Sequence, residues 1–405
     1  MLSNKVRTLL TMLGIIIGIA SIMIVYSTGE GIFGLVVGQV QSFGTDIIET
    51  EIKVPSNKKG QAGESQSASA IASGVQITTL VIKDMEDVRK IANVKNAYGA
   101  IMSQEQVSYR AENRRAFVLG TTAGYIEIDK STIASGRFFT DAEDKNLSEV
   151  AVLGFKMKDK LFGDEDPIGK TITLRKHKFT VIGVMTERGG GMFLDFDNYV
   201  YVPLRTLQKK VMGLDYMMYM VHQLKDPAKG EETAAEAASI LRVNHKITDP
   251  NRDDFRVVTM SEALGSLKTV SDAITLLLLG IVIISLIVGG VGIMNVMYVV
   301  VTERTMEIGL RKAVGATVGD ILWEFLVESV VITTIGGLIG IVVGIGVSAL
   351  VAYFAQSYGF AWSLVIPAKA YVVSIVFSMV CGVFFGLYPA RKAALLDPIE
   401  AIRTE

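Results

Sequence analysis

The stretch Ala273-Ile-Thr-Leu-Leu-Leu-Leu-Gly-Ile-Val-Ile-Ile-Ser-Leu-Ile-Val-Gly-Gly-Val-Gly-Ile-Met-Asn295-Val-Met-Tyr-Val-Val-Val-Thr302 runs without a charged side chain. A helix needs about 20 mainly apolar residues to cross a bilayer core. This stretch is longer than that, and its length decides the fold class. Three more stretches meet the same test. Thr8–Gly29 has no charge and reads as a retained anchor, its core being too long for a signal-peptide h-region. Ser329–Ala368 has none either. It reads as a helix to about Gln356, followed by a loop that ends at Pro367. Ala370–Tyr388 supplies the fourth span. The expected spans after the first are therefore 273–302, 329–356 and 370–388.

The charges lie between the first two spans. Half of the 405 residues are apolar and a fifth are charged. Residues 30–268 hold 31 basic and 32 acidic residues, whereas residues 1–29 hold only Lys5 and Arg7. A near-neutral, water-soluble segment is thus spliced into an apolar chain. That excludes a wholly soluble enzyme and a disordered chain. With no basic patch, nucleic acid is excluded as a partner. Membrane lipid is the implied surrounding. The single cysteine, Cys381, allows no disulfide within the chain. His177, His222 and His245 lie far apart and read as surface residues, so no metal site is expected.

Basic residues near short loops set orientation. Lys5 and Arg7 precede span one. Arg304, Arg311 and Lys312 follow span two, and Arg391, Lys392 and Arg403 follow span four. All fall on one side if both termini are cytoplasmic and residues 30–270 lie outside the cell or in a periplasm, in a multi-pass membrane protein.

Residues 30–270 read as α+β. The helix of span one continues to about Ser42, through Ile32, Phe33, Val36, Val37 and Val40. Ile48, Thr50, Ile52 and Val54 alternate with Glu49, Glu51 and Lys53 as a half-buried strand. Residues 56–74 are small and polar, a loop pattern. A helix near Lys83–Ile91, strands at Ala97–Gln104 and Phe117–Thr121, a helix at Glu231–Arg242 and a strand at Phe255–Thr259 follow. Ser261 is placed to cap the helix leading into span two. Residues 123–222 carry hairpin-like strands and read as a β-rich subdomain inserted into the first.

The search for chemistry is negative. Gly163-Asp-Glu-Asp-Pro-Ile-Gly-Lys170-Thr171 has five residues between its glycines where a phosphate loop has four. Asp164, Glu165 and Asp166 would repel phosphate, so it reads as a turn before a strand. Asp195 and Asp197 read as solvated loop carboxylates, and Gly189–Gly191 as a flexible tip. No nucleophile–base arrangement emerges. The chain reads as non-catalytic and free of bound cofactor.

Small residues line the spans. Gly336, Gly340 and Gly344 stand four apart, a spacing that lets helices approach closely, within the chain or against a second copy. Asn295 is read as an interhelical hydrogen-bonding residue, since no span carries an ionisable group that would mark a transport path. The segment after span two holds Glu303, Arg304, Met306, Glu307, Ile308, Leu310, Arg311 and Lys312. Its spacing predicts Arg304–Glu307 and Glu307–Arg311 pairs of about 0.2–0.5 kcal/mol each. It also predicts a face of Met306, Leu310 and Val314. The functional reading is a docking surface in a cytoplasmic loop, 303–328.

A resemblance becomes specific here. Val288-Gly-Gly-Val-Gly-Ile-Met-Asn295, followed by Thr302-Glu-Arg-Thr-Met-Glu-Ile-Gly-Leu-Arg-Lys-Ala-Val-Gly-Ala316, resembles the MacB/FtsX-like ABC transporter permease family. Asn4–Gly18 is similar to the start of such permeases. Leu161–Thr171 with Thr180–Val184 resembles part of a MacB-type outer domain, and Pro389–Arg403 resembles the family's tail. The resemblance implies a fold of four transmembrane helices, with a large α+β extracytoplasmic domain of two subdomains between helices 1 and 2. The domains are then 1–29, 30–270 and an FtsX-like permease domain at 271–405. It implies a homodimer paired with a separate ABC ATPase subunit, which binds the ATP. It also implies a periplasmic adaptor or other envelope partner. Export or mechanotransmission follows. A regulatory module signalling to an envelope hydrolase, or to lipoprotein-release machinery, is the alternative.

Overall fold

The computed structural model describes residues 5–41, 44, 46–53, 78–188, 195–358, 360, 362–398 and 401. The polar stretch 56–74, the triple glycine at 189–191, and Arg403 lie outside the described residues. The chain divides into two compact units, Val37–Ser266 and Met1–Val36 with Leu267–Glu405.

The outer unit is built on ten strands: β1 (Ile47–Ile52), β2 (Val94–Tyr109), β3 (Glu112–Thr121), β4 (Ile133–Gly136), β5 (Val150–Leu153), β6 (Thr171–Leu174), β7 (His177–Met185), β8 (Tyr199–Pro203), β9 (Tyr219–Leu224) and β10 (Phe255–Thr259). One end runs β10-β1-β9-β2, all antiparallel. Helix α2 (Ile82–Val88) connects β1 to β2, and helix α4 (Gly230–His245) connects β9 to β10. That order and those crossovers make a ferredoxin-like split βαβ lobe. Met85 and Val88 of α2, with Ala237 and Leu241 of α4, bury against Ile48, Met220 and Phe255.

The second lobe is an excursion from the first. β2 extends beyond that sheet and turns at Arg110 into β3. Pairings β2–β3, β3–β8, β8–β5, β5–β7, β7–β6 and β6–β2 then close a six-stranded barrel. Alternation sorts its side chains. Val200 and Val202 of β8 join Val118, Leu153, Phe179 and Val181 in one cluster, while Tyr199 and Tyr201 join Tyr98, Tyr125 and Phe138 in another. The barrel takes in β3 and the outer half of β2, so it begins ahead of residue 123. Helix α3 (Phe155–Phe162) ends at Gly163, whose φ is +56°, and β6 starts at Thr171. Lys170 pairs with Glu165, as befits a turn rather than a phosphate cradle.

Two expectations for this unit need correction. His222 is buried, and the side chain of His245 is only 5% exposed. The Nε2 of His222 lies 3.1 Å from the Met85 carbonyl, and burial pushes its imidazole down to about 4. The ring of His245 sits between Asp254 Oδ1 at 2.7 Å and Asp84 Oδ2 at 3.3 Å. These partners are distant in sequence, so spacing hid them. Asp197 is also buried, accepting from the Arg188 backbone N–H at 2.9 Å, and Asp195 pairs with Lys156 at 3.1 Å.

His245 yields a pH prediction. Hydrogen bonds to Asp254 and then to Asp84 push its imidazolium up to about 9. Its stabilisation is complete below the ordinary value of about 6.5 and disappears as pH rises through about 9. Scanning calorimetry on the chain in detergent should show the outer-unit transition falling by a few degrees from pH 6.5 to 9.5. His245→Gln should flatten that slope. An unchanged slope in the variant would place the alkaline loss elsewhere.

The membrane unit comprises α1 (Lys5–Gln41), α5 (Met260–Glu303), α6 (Thr305–Ala313), α7 (Val318–Ser357) and α8 (Ala368–Ala394). Four of these are long and apolar enough to span a membrane: Met12–Gly38, Met260–Glu303, Val318–Ser357 and Ala368–Ala394. The cap of α5 is Thr259 rather than Ser261, since Thr259 Oγ1 accepts from the Glu262 N–H at 3.1 Å. α7 begins well before Ser329. The Thr317 hydroxyl accepts from the Asp320 N–H at 3.3 Å, and the Asp320 carboxylate accepts from the Thr317 N–H at 2.9 Å. This reciprocal cap nucleates the helix on a polar turn that hydropathy passes over. Above the spans, Lys268 of α5 reaches Glu30 of α1 at 3.4 Å and lies 5.2 Å from the centre of the Phe33 ring.

Candidate functional site

The small residues seat helices within the chain. A Cβ on Gly340 would lie 2.9 Å from the Ile16 carbonyl and from Ile19, and one on Gly344 would lie 2.6 Å from Met23. Gly336 meets Ile15 at an ordinary 3.4 Å. The stripe is therefore the groove of α7 that receives α1. The closest backbone approach among the described spans is elsewhere: a Cβ on Gly14 would fall 2.7 Å from the Gly289 Cα. Asn295 departs from expectation. It is exposed, and among the described residues it has no hydrogen-bond partner. α5 packs through Val282, Leu286, Gly289, Ile293 and Met297, and two residues beyond Ile293 the helix has turned to its other side.

The segment after α5 folds into α6, a turn at Gly315 with φ +110°, and the cap of α7. Glycine is suited to that left-handed turn. The expected ion pairs form and extend further. Arg304 holds Glu307 at 2.9 Å and reaches Glu324 and Glu328, both at 3.4 Å. Arg311 meets Glu307 at 2.7 Å and Glu324 at 2.5 Å. The hydrogen bond from Arg304 holds the Glu307 carboxyl below the usual carboxylate range. Five charges thus staple α6 to the first turns of α7. Residues 318–328 act as the other half of a helical hairpin.

Three expected docking residues have internal roles. Ile308 is 3% exposed and belongs to the bundle core. Lys312 Nζ donates to the carbonyls of Ala394 and Leu396 at 2.8 and 2.7 Å, capping the C-terminus of α8. Arg304 is spent on the staple, its guanidinium 5.4 Å from the centre of the Phe325 ring. What remains presented is Met306, Leu310 and Val314, at 68, 61 and 84% exposure. They are spaced four apart, so they form one apolar face. Glu303 pairs within the chain. Among the described residues no group of three or more His, Cys, Asp and Glu is placed to hold a metal ion.

The pattern for a MacB-like periplasmic core domain matches residues 8–240, and that for an FtsX-like permease C-terminal region matches residues 279–398. The chain belongs to the MacB/FtsX-like ABC transporter permease family. It is 36% identical over its whole length to the macrolide export ATP-binding/permease protein MacB of Bdellovibrio bacteriovorus, of which it spans 60%. It is 34% identical over its whole length to an uncharacterized ABC transporter permease, YknZ, of Bacillus subtilis, covering 96% of that protein. The crystal structure of the periplasmic region of MacB from Actinobacillus actinomycetemcomitans covers 57% of this chain and 97% of its own, with 18% identity and a TM-score of 0.46. The chain spans about 60% of the length of the curated MacB relatives it matches. It is a multi-pass membrane permease of this family, with the α+β unit between its first and second spans.

Proposed function

We propose that this permease couples ATP hydrolysis by a separate ATP-binding subunit to movement of its outer unit, for export or mechanotransmission. The observation that carries the reading is the α6 face of Met306, Leu310 and Val314, apolar and uncovered on a helix stapled by ion pairs. A rigid helix with an open apolar face suits a partner that pushes. The B. subtilis relative, matched over nearly all of its own length, supports an ATPase carried on another chain.

The proposed unit is a homodimer. Ile274, Leu277, Ile281, Ile284, Val288, Val291 and Tyr298 of α5 are exposed at alternating three- and four-residue spacing, and Asn295 falls in the same row. A second copy's α5 would give Asn295 the partner it lacks, as a polar residue in an apolar helical seam does. The proposed cargo is exported past the outer unit with an envelope partner; the Bdellovibrio relative is a macrolide export protein. Signalling without cargo remains the second reading, tested by the same complex.

The proposed orientation puts both termini in the cytoplasm of a bacterial cell (inner) membrane. A cysteine in place of Lys209, exposed on the outer unit, should react with an impermeant maleimide applied to cells with an opened outer envelope. A cysteine in place of Thr317 should react only after lysis. The reverse pattern would overturn the orientation and the coupling role with it. Co-purification from membranes tests the rest: an ATP-binding subunit should accompany the chain.

A further inference from the structure

The apolar row of α7 runs on past the depth of a bilayer core. Ile339, Val343, Val347, Leu350, Phe354 and Tyr358 are exposed at three- and four-residue spacing, and Tyr358, just past the helix end, is 81% exposed. No charged side chain occurs from Ser329 to Ala368. At about 1.5 Å per residue, the uncharged part of α7, residues 329–357, is about 43 Å long. A hydrocarbon core is about 30 Å thick, and a bilayer with both headgroup layers is about 40–45 Å. The last turns of α7 therefore outrun the core and end at headgroup depth.

The other side of the bundle differs at that level. Gly344 of α7 lies against Met23 of α1, so Val351, seven residues on, stands level with Glu30. There Glu30 pairs with Lys268 of α5 at 3.4 Å, and Lys268 pairs with Asp272 at 3.0 Å. α1 and α5 thus present charge where α7 still presents Leu350 and Phe354.

Segment 358–367 extends the apolar surface and is held in place. Gln356 Nε2 donates to the Trp362 carbonyl at 2.8 Å, and the Phe360 N–H donates to the Ala355 carbonyl at 3.1 Å. The Trp362 indole fills the space beside Gly31 of α1, where a Cβ would clash. With Trp362 turned inward, Phe360, Leu364 and Val365 are left exposed. Tyrosine and tryptophan at the end of a span are the residues of a membrane interface. Lys369, exposed at the start of α8, is the first charge after the segment.

We propose that the end of α7 and segment 358–367 form a shoulder embedded in the headgroup layer of the leaflet on the outer unit's side, with phospholipid as its partner. The shoulder is continuous with the lipid-facing row of the span beneath it, and its reach beyond the core matches one headgroup layer. Contact with lipid here requires neither ATP nor another subunit.

The test uses the full chain carrying Cys381→Ala, in phosphatidylcholine nanodiscs, with one spin-labelled cysteine at a time: Tyr358→Cys, Leu364→Cys, Val342→Cys or Lys209→Cys. All four positions are exposed. Collision with oxygen, which concentrates in lipid, and with an aqueous nickel chelate reports depth. Val342, midway along α7, should read as bilayer, and Lys209, on the outer unit, as water. Labels at Tyr358 and Leu364 should fall between them, with oxygen access above that at Lys209 and nickel access below it. Readings at both sites equal to Lys209 would overturn the proposal. So would low access to both reagents, which marks burial against a second copy or another protein.

Discussion

The double variant Met306→Asp, Leu310→Asp is expected to fold and insert normally yet lose its ATP-binding subunit. Both side chains are largely exposed, at 68 and 61%, so the exchange disturbs no internal packing. Docking would bury them, and a buried unpaired carboxylate costs several kcal/mol. Each 1.4 kcal/mol is a factor of about ten in affinity. Recovery of the subunit in a pull-down should therefore fall by about tenfold or more, with a matching loss of ATP-dependent activity. Ile308→Asp should behave differently. Ile308 is 3% exposed in the bundle core, so that variant should lower the yield of folded protein instead. Full recovery of the subunit by the double variant would reduce α6 to an interfacial turn and remove its coupling role.

Gly289→Leu should be among the most damaging single changes in the spans. At the Gly14–Gly289 crossing an added Cβ meets backbone, with nearest approach 2.8 Å to the Gly14 carbonyl carbon. A side chain can rotate out of the way, but a helix backbone cannot, so α1 and α5 must part. Overpacking in a well-packed core costs about 1–3 kcal/mol where relaxation is available. Here the expected loss lies at the upper end, a fall of roughly 6–12 °C in the unfolding midpoint. Gly280 of the same helix has open space around it, so Gly280→Leu serves as the matched control and should shift the midpoint little. Equal behaviour of the two leucine variants, read by thermal aggregation in detergent, would show that the crossing is not so close.

Periodicity and charge exposed much of this architecture. The spans, the polar insert, and strands such as Phe255–Thr259 follow from patterns that one segment displays alone. β9 escaped because it is central: Tyr219–Leu224 is buried on both faces and shows no alternation. The start of α7 at Val318 escaped because its evidence is a cap, while hydropathy responds to the apolar run that follows. In the candidate coupling segment the charge pairs were readable, since i,i+3 and i,i+4 spacing is local. The burial of Ile308 between exposed Met306 and Leu310, and the diversion of Lys312 to the end of α8, depend on helices far along the chain. The His245 clamp is likewise a product of tertiary proximity.

The barrel leaves the ferredoxin-like sheet and returns to it at facing positions. Ala100 of β2 and Tyr219 of β9 are register partners, so residues 101–218 form one detour whose two ends are already held together. Closing a long detour adds only logarithmically to its entropic cost, and insertions succeed where chain ends are already adjacent. The barrel can therefore be regarded as interchangeable cargo on a fixed chassis. A lineage could lengthen it, reshape its rim or graft a relative's version, and the β10-β1-β9-β2 sheet would keep its pairing. New recognition could then evolve without redesigning the sheet that carries it.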